Sequence, residues 1–374
     1  MKTNNPSKTQ VLALTGAQAT TEAMRQVNPA VVAAYPITPQ TPIIEGFAGM
    51  VADGLVATEL IRVESEHSAL SAVVGAQASG VRAMTASSSA GLALMFEVLG
   101  VASGLRLPIV MSIANRALSS PINIHCDHSD TMGVREQGWL QIYSENPQEV
   151  YDHTLLALKL AEHPEVQLPI MVCQDGFITS HATERVATLA DETVQQFIGP
   201  YQPQTNLLDN KKPETLGPLA LPNSQMEIKE LQMGAANRAL GVYPQVAKEL
   251  ETITKRGYPA IEAFNLDKAG VAIVTLGSTA GTVKHTIGKS KVGLLKIRLF
   301  RPFPYKKVKE ALGHYQKVIV LDRTPTYGAG APLYLDVKSA LYGLENPPVV
   351  ESIIFGLGGR DFGPEDIESL LQNR

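Results

Sequence analysis

The sequence predicts an α/β fold: a parallel sheet covered by helices on both faces, followed by a smaller α/β unit. Short, wholly apolar runs alternate with stretches of helical spacing, which is the pattern of strands buried on both sides. Several of these runs end in polar or Pro-rich junctions, as βα connections do. A chain of 374 residues with 44% hydrophobic and 18% charged side chains is long enough for two full cores. So sparse a charge complement also suggests that other subunits cover part of the exterior.

Taken in order, residues 11–14 form a short strand, followed by Thr15, Gly16 and a helix through Ala23 and Val27. Residues 31–35 form a second strand, which stops at YPITPQTP, where Pro36, Pro39 and Pro42 forbid regular pairing. A stiff loop there holds carbonyls and the hydroxyls of Thr38 and Thr41 at fixed positions, with little entropy lost on binding. The run LIRVESEHSALSAVVGAQ then reads as a strand ending at Val63 and a helix that begins at Ser65 and buries Ala69, Leu70, Val73 and Val74. Glu64, Glu66 and His67 therefore stand at the carboxyl end of a strand, where open α/β sheets place their chemistry. Taken alone, Glu66 reads as a carboxylate near the positive end of a helix dipole.

Residues 81–85 are a further strand, and Ser87, Ser88 and Ser89 cap a helix of small and apolar residues. The apolar strand 107–113 delivers Asn115 and Arg116, so three strand ends have each presented a polar group: Thr38, Glu66 and Arg116. The plainer role for Arg116 is an ion pair with a loop acid such as Asp127. His125, Cys126, Asp127 and His128 fit no zinc spacing, and neighbours in extended chain point to opposite sides, so no metal ligand is assigned. Residues 147–161 form a helix and 169–173 a strand. A Pro-, Asn- and Gly-rich arm at 198–224 is expected to reach over a neighbouring subunit. A helical stretch over 227–256, broken near Pro244, leads to strands at 271–276, 294–299, 318–321 and 349–354. The expected division is 1–240, a connector over 241–266, and a second unit over 267–374.

Composition limits the function. No apolar run reaches the length of a membrane span and MKTNNPSKTQ has no hydrophobic signal core, so the expected place is the cytoplasm, with no membrane role. Cys126 and Cys173 cannot build a disulfide framework or ligate an iron–sulfur cluster alone; any cluster must sit in a partner. The net charge of −4 divides unevenly: residues 1–200 hold 10 Lys and Arg against 19 Asp and Glu, and residues 201–374 hold 22 against 17. Ten Lys or Arg and no acid fall between Lys268 and Lys309, a stretch expected to lie on the surface, first as an ordinary solvated face and second as a docking face for an acidic partner chain. It lacks the interleaved aromatics that would favour nucleic acid. Gly288, Lys289 and Ser290 mimic the end of a P-loop, but Val283 stands where its first glycine belongs. No dinucleotide fingerprint is present, nor the GDG and NN pair that binds magnesium diphosphate in thiamine enzymes.

YPITPQTP, IRVESEHSAL, the Ser-rich helix start, SIANRALSSPINIHCDHSD, GWLQIY, PIMVCQDGF with SHATERV, and then LFRPFP and DRTPTYGAGAPL follow one another over nearly the whole chain. Together they resemble the alpha chains of the multisubunit 2-oxoacid:ferredoxin oxidoreductases, above all those of the pyruvate:ferredoxin oxidoreductase family. The resemblance implies a pyrimidine-type thiamine diphosphate domain and a smaller transketolase C-terminal-like domain. It implies a cofactor shared with a beta subunit that carries the magnesium, iron–sulfur clusters on partner chains, and gamma and delta subunits completing the complex. The reaction implied is oxidative decarboxylation of pyruvate with coenzyme A to acetyl-CoA and carbon dioxide, with electrons passing to ferredoxin.

By position in the motifs, Glu66 matches the family's activating glutamate. Its carboxyl hydrogen-bonds N1′ of the aminopyrimidine and favours the imino tautomer that acts as base. Thr38 matches the threonine near the substrate, Pro36 and Ile37 the pyrimidine edge, and Arg116 the arginine facing the 2-oxoacid carboxylate. Close relatives act on branched 2-oxoacids, 2-oxoglutarate or phenylglyoxylate, and subunits of E1-type dehydrogenases share the pyrimidine-domain logic, so both alternatives stay open.

Overall fold

The computed structural model describes residues 9–268, 270–288 and 290–372. The first eight residues of the polar start lie outside the described residues, as does Lys289 of the basic stretch. The strands run in chain order as β1 (Gln10–Thr15), β2 (Val31–Ala34), β3 (Glu59–Arg62), β4 (Ala83–Ser87), β5 (Val110–Asn115), β6 (Leu140–Ser144), β7 (Ile170–Asp175) and β8 (Thr183–Thr188). They continue as β9 (Ile261–Phe264), β10 (Val271–Thr275), β11 (Val292–Ile297), β12 (Leu299–Arg301), β13 (Lys317–Asp322) and β14 (Val349–Ile354).

The larger sheet has the order β12-β6-β7-β5-β4-β2-β3, parallel except for β12. The alternation of a pleated strand sends its side chains into two cores. Val32, Val110, Ile170 and Val172 pack with the helices Gly16–Val27 and Pro147–Glu162 on one face, and Ala33, Met111, Met171 and Cys173 pack with the helix Glu66–Ala78 on the other. From β2 the chain steps one way to β3 and then back across to β4. The crevice between the carboxyl ends of β2 and β4 is therefore the point where winding reverses, the usual ligand position in such sheets.

Several elements differ from expectation. β1 is not in the larger sheet but pairs antiparallel with β8 as a separate ribbon. β6 occupies a stretch to which the sequence assigned no element. Pro42 is not in the loop but at the first turn of the helix Thr41–Ala52, where a missing N–H costs nothing. The helix Gln225–Thr254 runs unbroken through Pro244, because Val242, Tyr243, Val246 and Ala247 are buried around it and their packing outweighs the lost bond. The stretch 241–266 is no simple connector: β9 is the edge strand of the second sheet, whose order is β14-β13-β10-β11-β9. Conversely β12, from the later part of the chain, extends the larger sheet.

The basic stretch does not form one face. Lys296 and Arg298 are fully buried, and Lys284 and Arg301 are mostly so. Lys296 Nζ reaches Glu149 at 2.5 Å and Glu145 at 2.7 Å, Arg298 pairs with Glu149 at 2.9 Å and with Glu262, and Arg301 pairs with Asp336 and Glu136. These charges bind the two sheets to each other, leaving Lys306, Lys307 and Lys309 exposed on one helix.

Candidate active site

The junction after β3 forms as its residue types dictate. Ser65 takes extended backbone and its hydroxyl accepts the Ser68 N–H at 3.2 Å, starting the helix at Glu66. Glu64 is exposed and accepts a hydrogen bond from the Ser68 hydroxyl, whereas Glu66 is only 7% exposed. No hydrogen bond or ion pair engages the Glu66 carboxyl among the described residues. Its neighbour is the backbone of Gly91: a Cβ there would lie 2.4 Å from Oε1 and 2.8 Å from Cδ. The residue is largely buried, yet its carboxyl keeps no protein partner and stays open to one from outside the chain, which fits a site completed by an external donor.

The loop after β2 puts Pro36 and Thr38 in exposed positions and leaves Ile37 half-buried. Arg116, at the end of β5, comes directly to this loop. Its Nη1 donates to the Thr38 carbonyl at 2.9 Å, and its Nε donates to the Asn123 carbonyl at 2.9 Å. Nη2 has no partner among the described residues, and the ion pair with Asp127 is not made; Asp127 instead accepts from the Ser129 N–H and hydroxyl. A guanidinium held by two carbonyls, with a terminal nitrogen to spare, can receive a carboxylate. Burial lowers the Arg116 pKa, partly offset by the nearby Asp130 charge.

The Ser-rich start after β4 is not capped as expected. The Ser87 and Ser88 hydroxyls are buried without partners, and Ser88 makes no side-chain cap. Ser89 is left-handed at φ 46°, a conformation that costs an L-residue about 1 kcal/mol. It is held there from both sides: its hydroxyl donates to the Ala117 carbonyl at 2.6 Å, and its N–H donates to Asp130 Oδ2 at 3.0 Å. Asp130 Oδ2 also accepts the Arg116 N–H at 3.0 Å. Sequence reasoning missed Gly91, Ser89 as an αL position, and Asp130. Only the SSSAG run carried a local signal, a glycine just inside a helix start.

Cys126, His128 and Asp175 offer ligand atoms within 4.8 Å of one another, all buried. The Arg323 guanidinium, however, donates to Asp175 Oδ2 at 3.1 Å and lies 3.9 Å from the Cys126 sulfur, a fixed cation where a metal would need to sit. His128 Nε2 meets Asp175 Oδ1 at 2.8 Å, and the Ser278 N–H meets Oδ2 at 3.2 Å. Burial pushes the Asp175 carboxyl up, but His128, Arg323 and Ser278 outweigh it and hold it well below the usual carboxylate range. The cluster is a latch between the ends of β7, β10 and β13.

Residues 22–248 match the family described as pyruvate flavodoxin/ferredoxin oxidoreductase, thiamine diphosphate-binding, and residues 269–367 match pyruvate:ferredoxin oxidoreductase core domain II. The chain belongs to the pyruvate:ferredoxin oxidoreductase family. Among relatives of this pyruvate:ferredoxin oxidoreductase chain, the pyruvate synthase subunit PorA of Thermotoga maritima is 52% identical over 367 residues, covering 97% of this chain and 94% of that one. The pyruvate synthase subunit PorA of Methanocaldococcus jannaschii is 45% identical, covering 97% and 95%. The ketoisovalerate oxidoreductase subunit VorA of Pyrococcus abyssi is 41% identical, covering 92% and 88%. In fold, the chain resembles the 2-oxoglutarate:ferredoxin oxidoreductase of Magnetococcus marinus with a TM-score of 0.76 at 21% identity, covering 98% of this chain and 65% of that longer one. No described helix of this family member is long and apolar enough to cross a membrane.

Proposed function

We propose that this chain supplies the pyrimidine-side half of a thiamine diphosphate site in a cytoplasmic complex that oxidatively decarboxylates pyruvate with coenzyme A, passing electrons to ferredoxin. The observation that carries the reading is Glu66, a largely buried residue whose carboxyl has no protein partner, beside the point where the sheet winding reverses. Identity of 52% to a pyruvate synthase subunit supports pyruvate as the substrate. The beta subunit would hold the diphosphate and its magnesium. The iron–sulfur clusters belong on partner chains, since this chain has two cysteines and such clusters take four. Gamma and delta subunits complete the complex.

Thiamine diphosphate, when bound, supplies an electron sink for the carbanion left by loss of carbon dioxide. Glu66 holds a proton against N1′ of its pyrimidine, and Pro36 and Ile37 pack at the pyrimidine edge. The Thr38 hydroxyl faces the substrate. Arg116 takes the 2-oxoacid carboxylate with Nη2 while its other nitrogens keep the loop in place.

The test is turnover of the reconstituted complex across pyruvate, ketoisovalerate, 2-oxoglutarate and phenylglyoxylate. A preference for ketoisovalerate would favour the second reading, which the 41% identity to VorA supports. Transfer of the acyl group to a lipoyl protein would replace both. The isolated chain should show no turnover and no bound iron. Arg116→Lys should raise the KM for pyruvate about tenfold or more with a smaller change in kcat, because a point charge on a flexible stem cannot hold Thr38 and a carboxylate together. Gly91→Ala should lower kcat about 100-fold by displacing the Glu66 carboxyl, while thermal stability holds or rises, since Ala suits a helix better than Gly.

A further inference from the structure

Asp130 lies on none of the three strand ends that present Thr38, Glu66 and Arg116, yet its carboxylate touches the backbone of two of the segments that arrange them. Oδ2 accepts N–H bonds from both Ser89 and Arg116, at 3.0 Å each. Oδ1 accepts from Asn115 Nδ2 at 2.8 Å and from the Thr131 N–H at 2.7 Å. These four donors, with the Thr131 hydroxyl a longer fifth at 3.5 Å from Oδ1, fix the carboxylate in one orientation, and Asp130 is only 1% exposed. On one side, Ser89 begins the short helix whose Gly91 lies against the Glu66 carboxyl. On the other, Arg116 carries the guanidinium bonded to the Thr38 carbonyl. We infer that Asp130 is a positioning residue for the reaction, locking the backbone that cradles Glu66 and the backbone that aims Arg116 into a single frame.

The inference rests on the function proposed above for Glu66 and Arg116. An alternative is that Asp130 only stabilises the fold. The two roles separate because misplacing reacting groups by even an ångström alters rate and substrate affinity without unfolding anything. Asp130→Asn keeps the shape but turns an N–H₂ toward one pair of existing donors.

In the reconstituted complex, Asp130→Asn should lower kcat/KM for pyruvate about 100-fold, through both a raised KM and a lowered kcat. It should also weaken thiamine diphosphate binding, measured by equilibrium dialysis of the cofactor-free complex. Its effect on KM should be less than additive with that of Arg116→Lys, since both act on one guanidinium. Asn115→Ala leaves the carboxylate intact and removes one donor; it should give the same changes about tenfold weaker, and it decides the question if Asp130→Asn does not assemble. Parental kcat, KM and cofactor affinity in an assembled variant, with only the thermal midpoint lowered, would overturn the inference. If instead Glu66→Gln remains fully active, the proposed function fails, and an unchanged pyruvate KM in Asn115→Ala rejects the role of Asp130 separately.

Discussion

Replacing Glu66 by Gln in the reconstituted complex should lower pyruvate turnover by about 10²- to 10⁴-fold, the range lost with a positioned acid–base group. Glutamine is nearly isosteric, so the contact with Gly91 survives and the helix start at Ser65 is untouched. What disappears is the ability to share a proton. Assembly and thermal stability should stay close to parental, because no partner within the described chain loses a bond. Steady-state kinetics beside size-exclusion chromatography check both halves of the expectation, and turnover within tenfold of parental would remove Glu66 from the role.

The largest expected loss of stability lies elsewhere, at Glu149. Its Oε1 accepts from Lys296 and Arg298, and its Oε2 accepts the Glu145 N–H at 2.8 Å, all in the interior. Glu149→Gln leaves two buried cations sharing fewer carboxylates, and breaking a buried pair in this way costs about 3–5 kcal/mol. Thermal denaturation of the complex should show a clearly lower midpoint. The same site sets an acid limit. Burial pushes the Glu149 pKa up, but Arg298 and Lys296 outweigh it and hold the group well below its ordinary value of 4.5. A carboxyl depressed in the folded state contributes stability that is present above about pH 4.5 and is lost as pH falls below it. Parental protein should therefore lose stability more steeply than Glu149→Gln once the pH falls below about 4.5, which a midpoint series from about pH 6 down to about pH 3 would show.

The placement of Glu66, Thr38 and Arg116 just after strands could be read from the sequence, because the apolar runs before them are unmistakable. The choice of Glu66 over Glu64 followed from motif position, and the structure separates them by burial. What could not be read depends on distant partners. Asp130 looks like any loop acid, since all but one of the residues that donate to it are distant in sequence, among them Asn115 and Ser89 at 15 and 41 residues. The basic stretch suggested a surface because Glu145 and Glu149, which pair with Lys296 and Arg298, lie about 150 residues earlier. β6 was missed because Gln141 and Ser144 interrupt a short apolar run, yet both are fully buried. β1 was recognised as a strand but assigned to the wrong sheet, and its half-exposed alternation was the available clue to a ribbon.

The pairing of β12 with β6 has a consequence for how the polypeptide can be cut or shortened. A fragment ending before residue 299 would leave the outermost ladder of the larger sheet open, with unpaired N–H and C=O groups on β6 ready to recruit strands from other molecules. The later segment thus acts as an intramolecular edge protector, and expression of the N-terminal portion alone would call for a replacement strand or a charged gatekeeper along β6 to stay free of aggregates.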